Sequence, residues 1–171
     1  MSSQDIMMFS RMTHVRELKA EIARLKEDNS NLRDENASIK ARFSLAITVM
    51  EDLRALPGSG KMVLVDGWNL ILGAKKDAHS REELIAGYRG YLDANPDDSV
   101  WIVFDGPKES VVNEGRLRIS YTGGFGPHRA DKFICDYLRS AKYLGLSGRI
   151  EVKTNDRDIR KTACACGACC K

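Results

Sequence analysis

No stretch of this chain is apolar over the roughly 20 residues that a bilayer-spanning helix needs. The opening Met1-Ser2-Ser3-Gln4-Asp5 lacks the basic and hydrophobic regions of a secretory leader. A cytoplasmic location is the expectation. Charge of one sign is scarce too, because 27 Lys and Arg against 24 Asp and Glu leave a formal net charge of only +3. Residues 1 to 60 carry nine basic and nine acidic side chains, and residues 61 to 171 carry eighteen and fifteen, so the surplus lies in the second part. So small an excess allows a nucleic acid as partner without demanding one, since a phosphate-binding face depends on clustering that composition does not show.

Three common ligand motifs are also missing. Gly58-Ser59-Gly60-Lys61 imitates a phosphate-binding P-loop, but Ala55 stands where the first glycine belongs and Met62 replaces the Ser or Thr that would hold Mg²⁺. Gly124-x-Gly126 is followed by Arg129 where a dinucleotide fingerprint requires a third glycine. Cys164, Cys166, Cys169 and Cys170 crowd the carboxyl end, yet Cys-x-Cys-x2-Cys-Cys is not a zinc-finger spacing. They are expected as free thiols that act as small apolar residues at a helix end.

What is present begins with a heptad repeat. Val15, Ile22, Asn29, Asn36, Phe43 and Met50 fall at position a, and Leu18, Leu25, Leu32, Ile39, Ala46 and Leu53 at position d. Such a register, sustained over more than four heptads, predicts a coiled coil. Glu21, Asp28 and Glu35 occupy g, whereas Lys19, Lys26, Arg33 and Lys40 occupy e. In a parallel dimer Glu21 meets Lys26, Asp28 meets Arg33 and Glu35 meets Lys40; in an antiparallel one like charges face each other. Asn29 and Asn36, paired with themselves at a, favour the in-register two-stranded form. The expected organisation is therefore a homodimerising helix over residues 1–56, a flexible joint over 57–61 at Pro57-Gly58-Ser59-Gly60, and a domain over 62–171.

The domain alternates buried strands with helices. Strands are predicted at Met62 to Val65, Val100 to Phe104, Leu117 to Tyr121 and Ile150 to Lys153. Helices are predicted from Ser80 to Ala94, from about Pro127 to Leu144 and from about Arg157. This order implies an α/β fold, a parallel sheet flanked by helices. Four acids stand where strands end or a helix opens: Asp66, Asp105, Asp131 and Asp156. Ligands of open α/β sheets bind at the carboxyl ends of the strands, so these acids are expected to converge on one pocket. Carboxylates held close repel, and a hard divalent ion such as Mg²⁺ or Mn²⁺ relieves that repulsion. Phosphodiester cleavage is the chemistry such a site serves.

Val65-Asp66-Gly67-Trp68-Asn69-Leu70-Ile71, Val103-Phe104-Asp105-Gly106, Tyr121-Thr122 ahead of Ala130-Asp131-Lys132-Phe133-Ile134, and Thr154-Asn155-Asp156 with Gly167-Ala168 beyond resemble, in order and spacing, the NYN-domain branch of the PIN-like nucleases. The likeness is greatest to its YacP-like members and covers about residues 62–168. The resemblance implies a PIN-like fold and a metal-dependent ribonuclease, with RNA as substrate and the ribosome as a further partner, because the YacP-like proteins include an endonuclease that cuts mRNA on ribosomes. It places the family's first acid on Asp66 with a companion polar residue on Asn69, and its later acids on Asp105, Asp131 and Asp156. Two departures stand out. The chain ends at Cys169-Cys170-Lys171, where family members usually continue into a further strand, and the coiled coil is an addition.

Asp66, Asp131 and Asp156 are accordingly expected as metal ligands, with Asp105 completing the set and Asn69 orienting a ligand or the scissile phosphate. Asp158, in the first turn of the last helix, is read as a partner of the helix dipole. The loop Thr122 to Arg129 brings glycine amides, His128, Arg129 and Lys132 towards an incoming strand, and Trp68 offers a face to a base. Trp101 belongs to the core. The leading reading is a dimeric Mg²⁺- or Mn²⁺-dependent endoribonuclease; the alternative is a catalytically silent RNA-binding or adaptor protein on the same fold.

Overall fold

The computed structural model describes residues 3–73, 80–124, 126 and 128–170, with side chains from residue 14 onward. The chain divides into two compact units, Met1–Phe43 and Ser44–Lys171. Helix α1, Ser3–Ala55, contributes to both. From residue 14 through Phe43 every side chain is exposed, the heptad positions included: Val15, Leu18, Ile22, Leu25, Leu32 and Ile39 keep 49–56% of their surface. A helix of this kind gains its stability from packing that stripe, which a lone copy leaves in water.

From Ser44 the helix changes role. Leu45, Val49, Leu53 and Leu56 follow the i, i+4, i+8, i+11 spacing of one helical face, and Val49 and Leu53 are fully buried in the domain core. Between them Asp52 receives both guanidinium nitrogens of Arg118, at 3.0 and 2.9 Å, and the Tyr137 hydroxyl at 3.3 Å. The heptad register thus runs past its exposed stripe. Leu53, expected at a d position of the zipper, is a core residue, because a helix docked on a sheet repeats its apolar positions at nearly the same interval as a coiled coil. The expected flexible joint is pinned as well. The Arg149 guanidinium donates to the carbonyls of Leu53 at 2.7 Å, Leu56 at 3.3 Å, Gly60 at 3.0 Å, and also Pro57, closing the carbonyl end of α1. A Cβ on Gly60 would stand 2.0 Å from the Asp97 carbonyl oxygen, so only glycine fits there.

The domain continues with β1 Met62–Asp66, α2 Gly67–Gly73, α3 Arg81–Ala94, β2 Ser99–Phe104, β3 Glu109–Glu114, β4 Leu117–Thr122, α4 Arg129–Tyr143, β5 Ile150–Lys153, α5 Arg157–Cys166 and β6 Cys169–Cys170. The sheet order is β3-β4-β2-β1-β5-β6. All neighbours pair in parallel except β3 and β4. Side chains alternate across it. Met62, Leu64, Trp101, Val103, Ile150 and Val152 meet α4, α5 and the end of α1 on one face. Val63, Val65, Val100, Ile102, Phe104, Leu117 and Ile119 meet α2 and α3 on the other. This is the expected mixed α/β architecture, with Trp101 in the core.

α3 starts where the sequence places it. Ser80 accepts the Glu83 amide at 3.2 Å while the Glu83 carboxylate accepts the Ser80 amide at 3.0 Å, a reciprocal cap. α4 begins at Arg129, two residues after Pro127, which lies outside the described residues. β3 escaped the sequence reading because every residue in it is exposed, leaving no alternation to detect. At the carboxyl end Glu151 and Val152 of β5 pair with Cys169 and Cys170, so a further strand does begin here. Of the cysteines, Cys166 is buried, Cys135 and Cys170 are half-buried, and Cys164 and Cys169 are exposed, so only part of the terminal group packs as small apolar residues.

Candidate active site

β1 lies between β2 and β5, and the chain leaves it towards one neighbour and returns to the other only after β4. Such a reversal opens a crevice at the carboxyl edge of the sheet. Asp66 is the last residue of β1, Asp105 follows β2, Thr154 to Asp156 follow β5, and Asp131 sits in the first turn of α4 beyond β4. The sheet therefore gathers the four predicted acids along one edge.

Asp66 is the buried member, 3% exposed. Its Oδ2 accepts the Thr154 hydroxyl at 2.9 Å, and its Oδ1 accepts a long bond from the Asn69 backbone amide at 3.4 Å. Burial is the largest influence on its acidity, followed by those two hydrogen bonds in the opposite sense and then the charges of Asp131 and Asp156. The result is a carboxyl pushed up from 3.8 to about 6. Gly67, next in sequence, admits the Phe104 ring, which would meet a Cβ at 2.2 Å. That close approach turns the chain tightly from β1 into α2.

Thr154 is the residue that the sequence reading missed. It is 2% exposed. Its hydroxyl donates to Asp66, lies 3.3 Å from the Asn69 side-chain oxygen, and accepts the Asp156 amide at 3.0 Å. Asn69 Oδ1 also accepts the Asn155 amide at 2.6 Å. One hydroxyl thus ties together three of the predicted site residues. A Thr two residues ahead of an acidic helix cap, Thr154-x-Asp156, is the signal that would have found it.

The other acids have structural duties on one oxygen. Asp156 Oδ1 caps α5, accepting the amides of Asp158 at 2.8 Å and Ile159 at 2.9 Å. Asp105 Oδ1 accepts the Thr122 hydroxyl at 3.0 Å and the Ala130 amide at 2.7 Å, so it caps α4 from a neighbouring strand. Asp131 Oδ2 lies 2.7 Å from His128 Nδ1, and this contact, together with the charge of Asp131, raises the affinity of the imidazole for its proton. Among the described residues no group of three His, Cys, Asp or Glu side chains stands together as a ready metal cage. The acids share an edge and a field without closing into the tight cluster that the sequence suggested.

The glycine loop differs from expectation in detail. Gly123 and Gly124 have positive φ, 67° and 78°, and the Gly124 amide donates to the Pro107 carbonyl at 3.0 Å. That amide is committed within the protein, so it is not offered to a phosphate. Phe125 and Pro127 lie outside the described residues. Arg129 rests its guanidinium on Gly124, where a Cβ would meet Nη1 at 2.3 Å, and His128, Arg129 and Lys132 are all exposed. Trp68 is half-buried. Its indole donates to the Asp105 carbonyl at 2.8 Å, its ring meets Phe104 edge-on at 5.3 Å, and Arg81 lies 6.0 Å above it, which braces β1 against β2 at the site.

The donor set suits a hard cation. All the candidate ligands are carboxylates, the buried one resists ionisation in the field of two others, and Mg²⁺ usually keeps several waters while taking only one or two carboxylates. No helix among the described residues is long and apolar enough to cross a membrane. Residues 63–171 match the family model described as the YacP-like NYN domain. Neither the curated proteins nor the solved structures contain a significant match.

Proposed function

The chain belongs to the YacP-like NYN domain family, whose domains have a PIN-like nuclease fold, and on that premise we propose that it is a Mg²⁺- or Mn²⁺-dependent endoribonuclease. The observation that carries this reading is the Asp66 carboxyl. It is buried at the end of the central strand, destabilised as an anion by its surroundings, and placed within the field of Asp131 and Asp156. An arrangement that keeps a repelled anion at a strand end suits a bound cation better than it suits stability.

Asp66, Asp131 and Asp156 would hold the metal, with Asp105 beside them. A divalent ion there supplies a water made nucleophilic near neutral pH and a positive charge for the phosphoryl oxygens. The chain's own groups do the positioning. Thr154 fixes the Asp66 carboxylate and Asn69 relative to each other. With its Oδ1 occupied, Asn69 keeps its side-chain Nδ2, bonded to no described residue, to donate to a phosphate oxygen. His128, which holds its proton more tightly through its contact with Asp131, together with Arg129 and Lys132 lines the approach for the RNA backbone. The exposed heptad stripe of α1 pairs in parallel with a second copy, on the strength of its g and e charges.

The alternative, a silent RNA-binding or adaptor protein, draws on a different observation: Asp105 and Asp156 already serve as helix caps and Asp131 already holds His128. One assay separates the two. Incubation with a mixed RNA pool and Mg²⁺ or Mn²⁺ should give cleavage that a chelator stops. Asp66→Asn should lower it at least about a hundredfold, Asp131→Asn and Asp156→Asn should be severe, and Asp158→Asn should be mild. RNA binding without metal-dependent cleavage would establish the silent reading, whereas full activity in Asp66→Asn would sink the assignment of Asp66 as a metal ligand.

A further inference from the structure

Helix α5 leaves the acid edge carrying a row of cations that the site described above does not use. Arg157, Arg160, Lys161 and Cys164 follow the i, i+3, i+4, i+7 spacing of one helical face. All four are exposed or nearly so, whereas Ile159, Ala163 and Cys166 turn the opposite face into the core. The four line one open groove together with Asn155. Asn155 joins this groove to the site. Its backbone amide donates to Asn69 Oδ1 at 2.6 Å, and its carboxamide lies against Gly73, where a Cβ would meet Nδ2 at 2.4 Å. From Arg157 to Cys164 the row is about 10 Å long at 1.5 Å per residue.

Two of these charges have only weak partners among the described residues. Lys161 meets Asp158 at 3.3 Å with both side chains well exposed, a pairing that water and salt weaken. Arg160 reaches the Cys170 thiol, a neutral group in β6. A protein surface of low net charge that places three cations along one groove beside an acidic site has the layout of a backbone-tracking path, in which cations neutralise phosphates while the bases stay unread.

We propose that this face of α5 binds the sugar–phosphate backbone of single-stranded RNA on the far side of the acid site from His128, Arg129 and Lys132, so that a strand is gripped on both sides of the phosphate at Asp66. The proposal rests on the ribonuclease reading. It makes Arg157, Arg160 and Lys161 binding residues, with no part in the chemical step.

The test uses the full chain and a fluorescent single-stranded oligouridylate. Binding is followed by anisotropy across a salt titration with a chelator present, and cleavage is followed with Mg²⁺. The variant Arg157→Gln with Arg160→Gln and Lys161→Gln is compared with Arg54→Gln, Arg89→Gln and Arg139→Gln, which removes equal charge from other elements. The α5 variant should bind about tenfold more weakly, and its salt slope should flatten by roughly 0.7 for each phosphate no longer neutralised. Its KM should rise with kcat little changed, and its thermal melt should match the native one, since the three residues are exposed and the contacts of Arg160 and Lys161 are weak ones. The control triple should keep a native slope. Equal losses in both variants, or an unchanged slope and KM in the α5 variant, would overturn the proposal and leave the nuclease intact. Failure of the native chain to bind or cut the RNA would overturn the reading beneath it.

Discussion

The two halves of helix α1 share one pattern and meet different fates. In residues 14–43 the apolar positions lie in solvent, framed by acids at g and bases at e. In residues 44–55 nearly the same interval carries Val49 and Leu53 into the core of the domain, with Asp52 held by Arg118 and Tyr137. Periodicity says that a face is apolar. What covers that face is decided by chain elsewhere, here by Arg118, Tyr137 and Arg149, which stand 66, 85 and 96 positions from the helix residues they hold.

The largest effect follows from moving the boundary. Deleting residues 1–43 should leave a domain that melts cooperatively and cuts short RNA, whereas deleting 1–56 should abolish the cooperative melt. The longer deletion removes Val49, Leu53 and Leu56, and buried aliphatic side chains cost about 2–5 kcal/mol each when truncated to alanine. It also strips Arg149 of two of its carbonyl acceptors. A folded, active chain of residues 57–171 would break the contrast between the halves. Next in size is Asp52→Ala, expected to destabilise the domain by about 2–3 kcal/mol in chemical denaturation, near the low end for a buried pair because Arg118 keeps 32% of its side chain exposed. Asp28→Ala, a carboxylate removed from the other half, should leave domain stability within about 0.5 kcal/mol.

A third measurement assigns a proton to the domain alone. Asp66 holds its proton in the folded state up to about 6 against an ordinary 3.8. The folded state therefore binds the proton more tightly, and domain stability should fall as pH rises from about 4 to about 6 and level off above. The shift corresponds to about 3 kcal/mol at most. Asp66→Asn should flatten that slope. Its melting temperature in chelator at pH 7 should equal or exceed the native one, since the introduced amide can donate to Thr154 while the hydroxyl turns to Asn69. A lower melting temperature at pH 7, or an unchanged slope, would show that the carboxylate is not under strain.

How much of this was legible follows from how local each signal is. The reciprocal Ser80–Glu83 cap and the buried apolar runs of β1 and β2 are written within a few residues, and Asp66, Asp105 and Asp156 could be placed from strand ends and Asp131 from a helix opening. Thr154 could not be singled out, because its importance lies in a hydroxyl shared with Asp66 from 88 positions away. β3 carries no alternation because it buries nothing. The docking of residues 44–55 was hidden by a heptad pattern that continues without a break, and the joint at Pro57 looked loose because its restraint comes from Arg149. The Asp105 carboxylate shows the same limit: a strand-end acid was expected at the site, but its bond to the Ala130 amide needs the fold.

The smallest effect tests the exposed half of α1, and there the sign matters more than the size. In a parallel pair Glu35 of one chain meets Lys40 of the other, and the two-fold symmetry of a dimer repeats that meeting once. Glu35→Lys would turn both into like-charge repulsions at roughly 0.5 kcal/mol each, weakening the dimer about fivefold in sedimentation equilibrium. Adding Lys40→Glu restores opposite charges and should return the native dissociation constant. In an antiparallel pair the g residues of the two chains face one another, so Glu35→Lys would place a lysine among acids and tighten the dimer. Loosening by the first change and recovery with the second therefore require the parallel arrangement; tightening by the first, or a native chain that sediments as a monomer, would show that the exposed stripe is covered by something other than a parallel second copy.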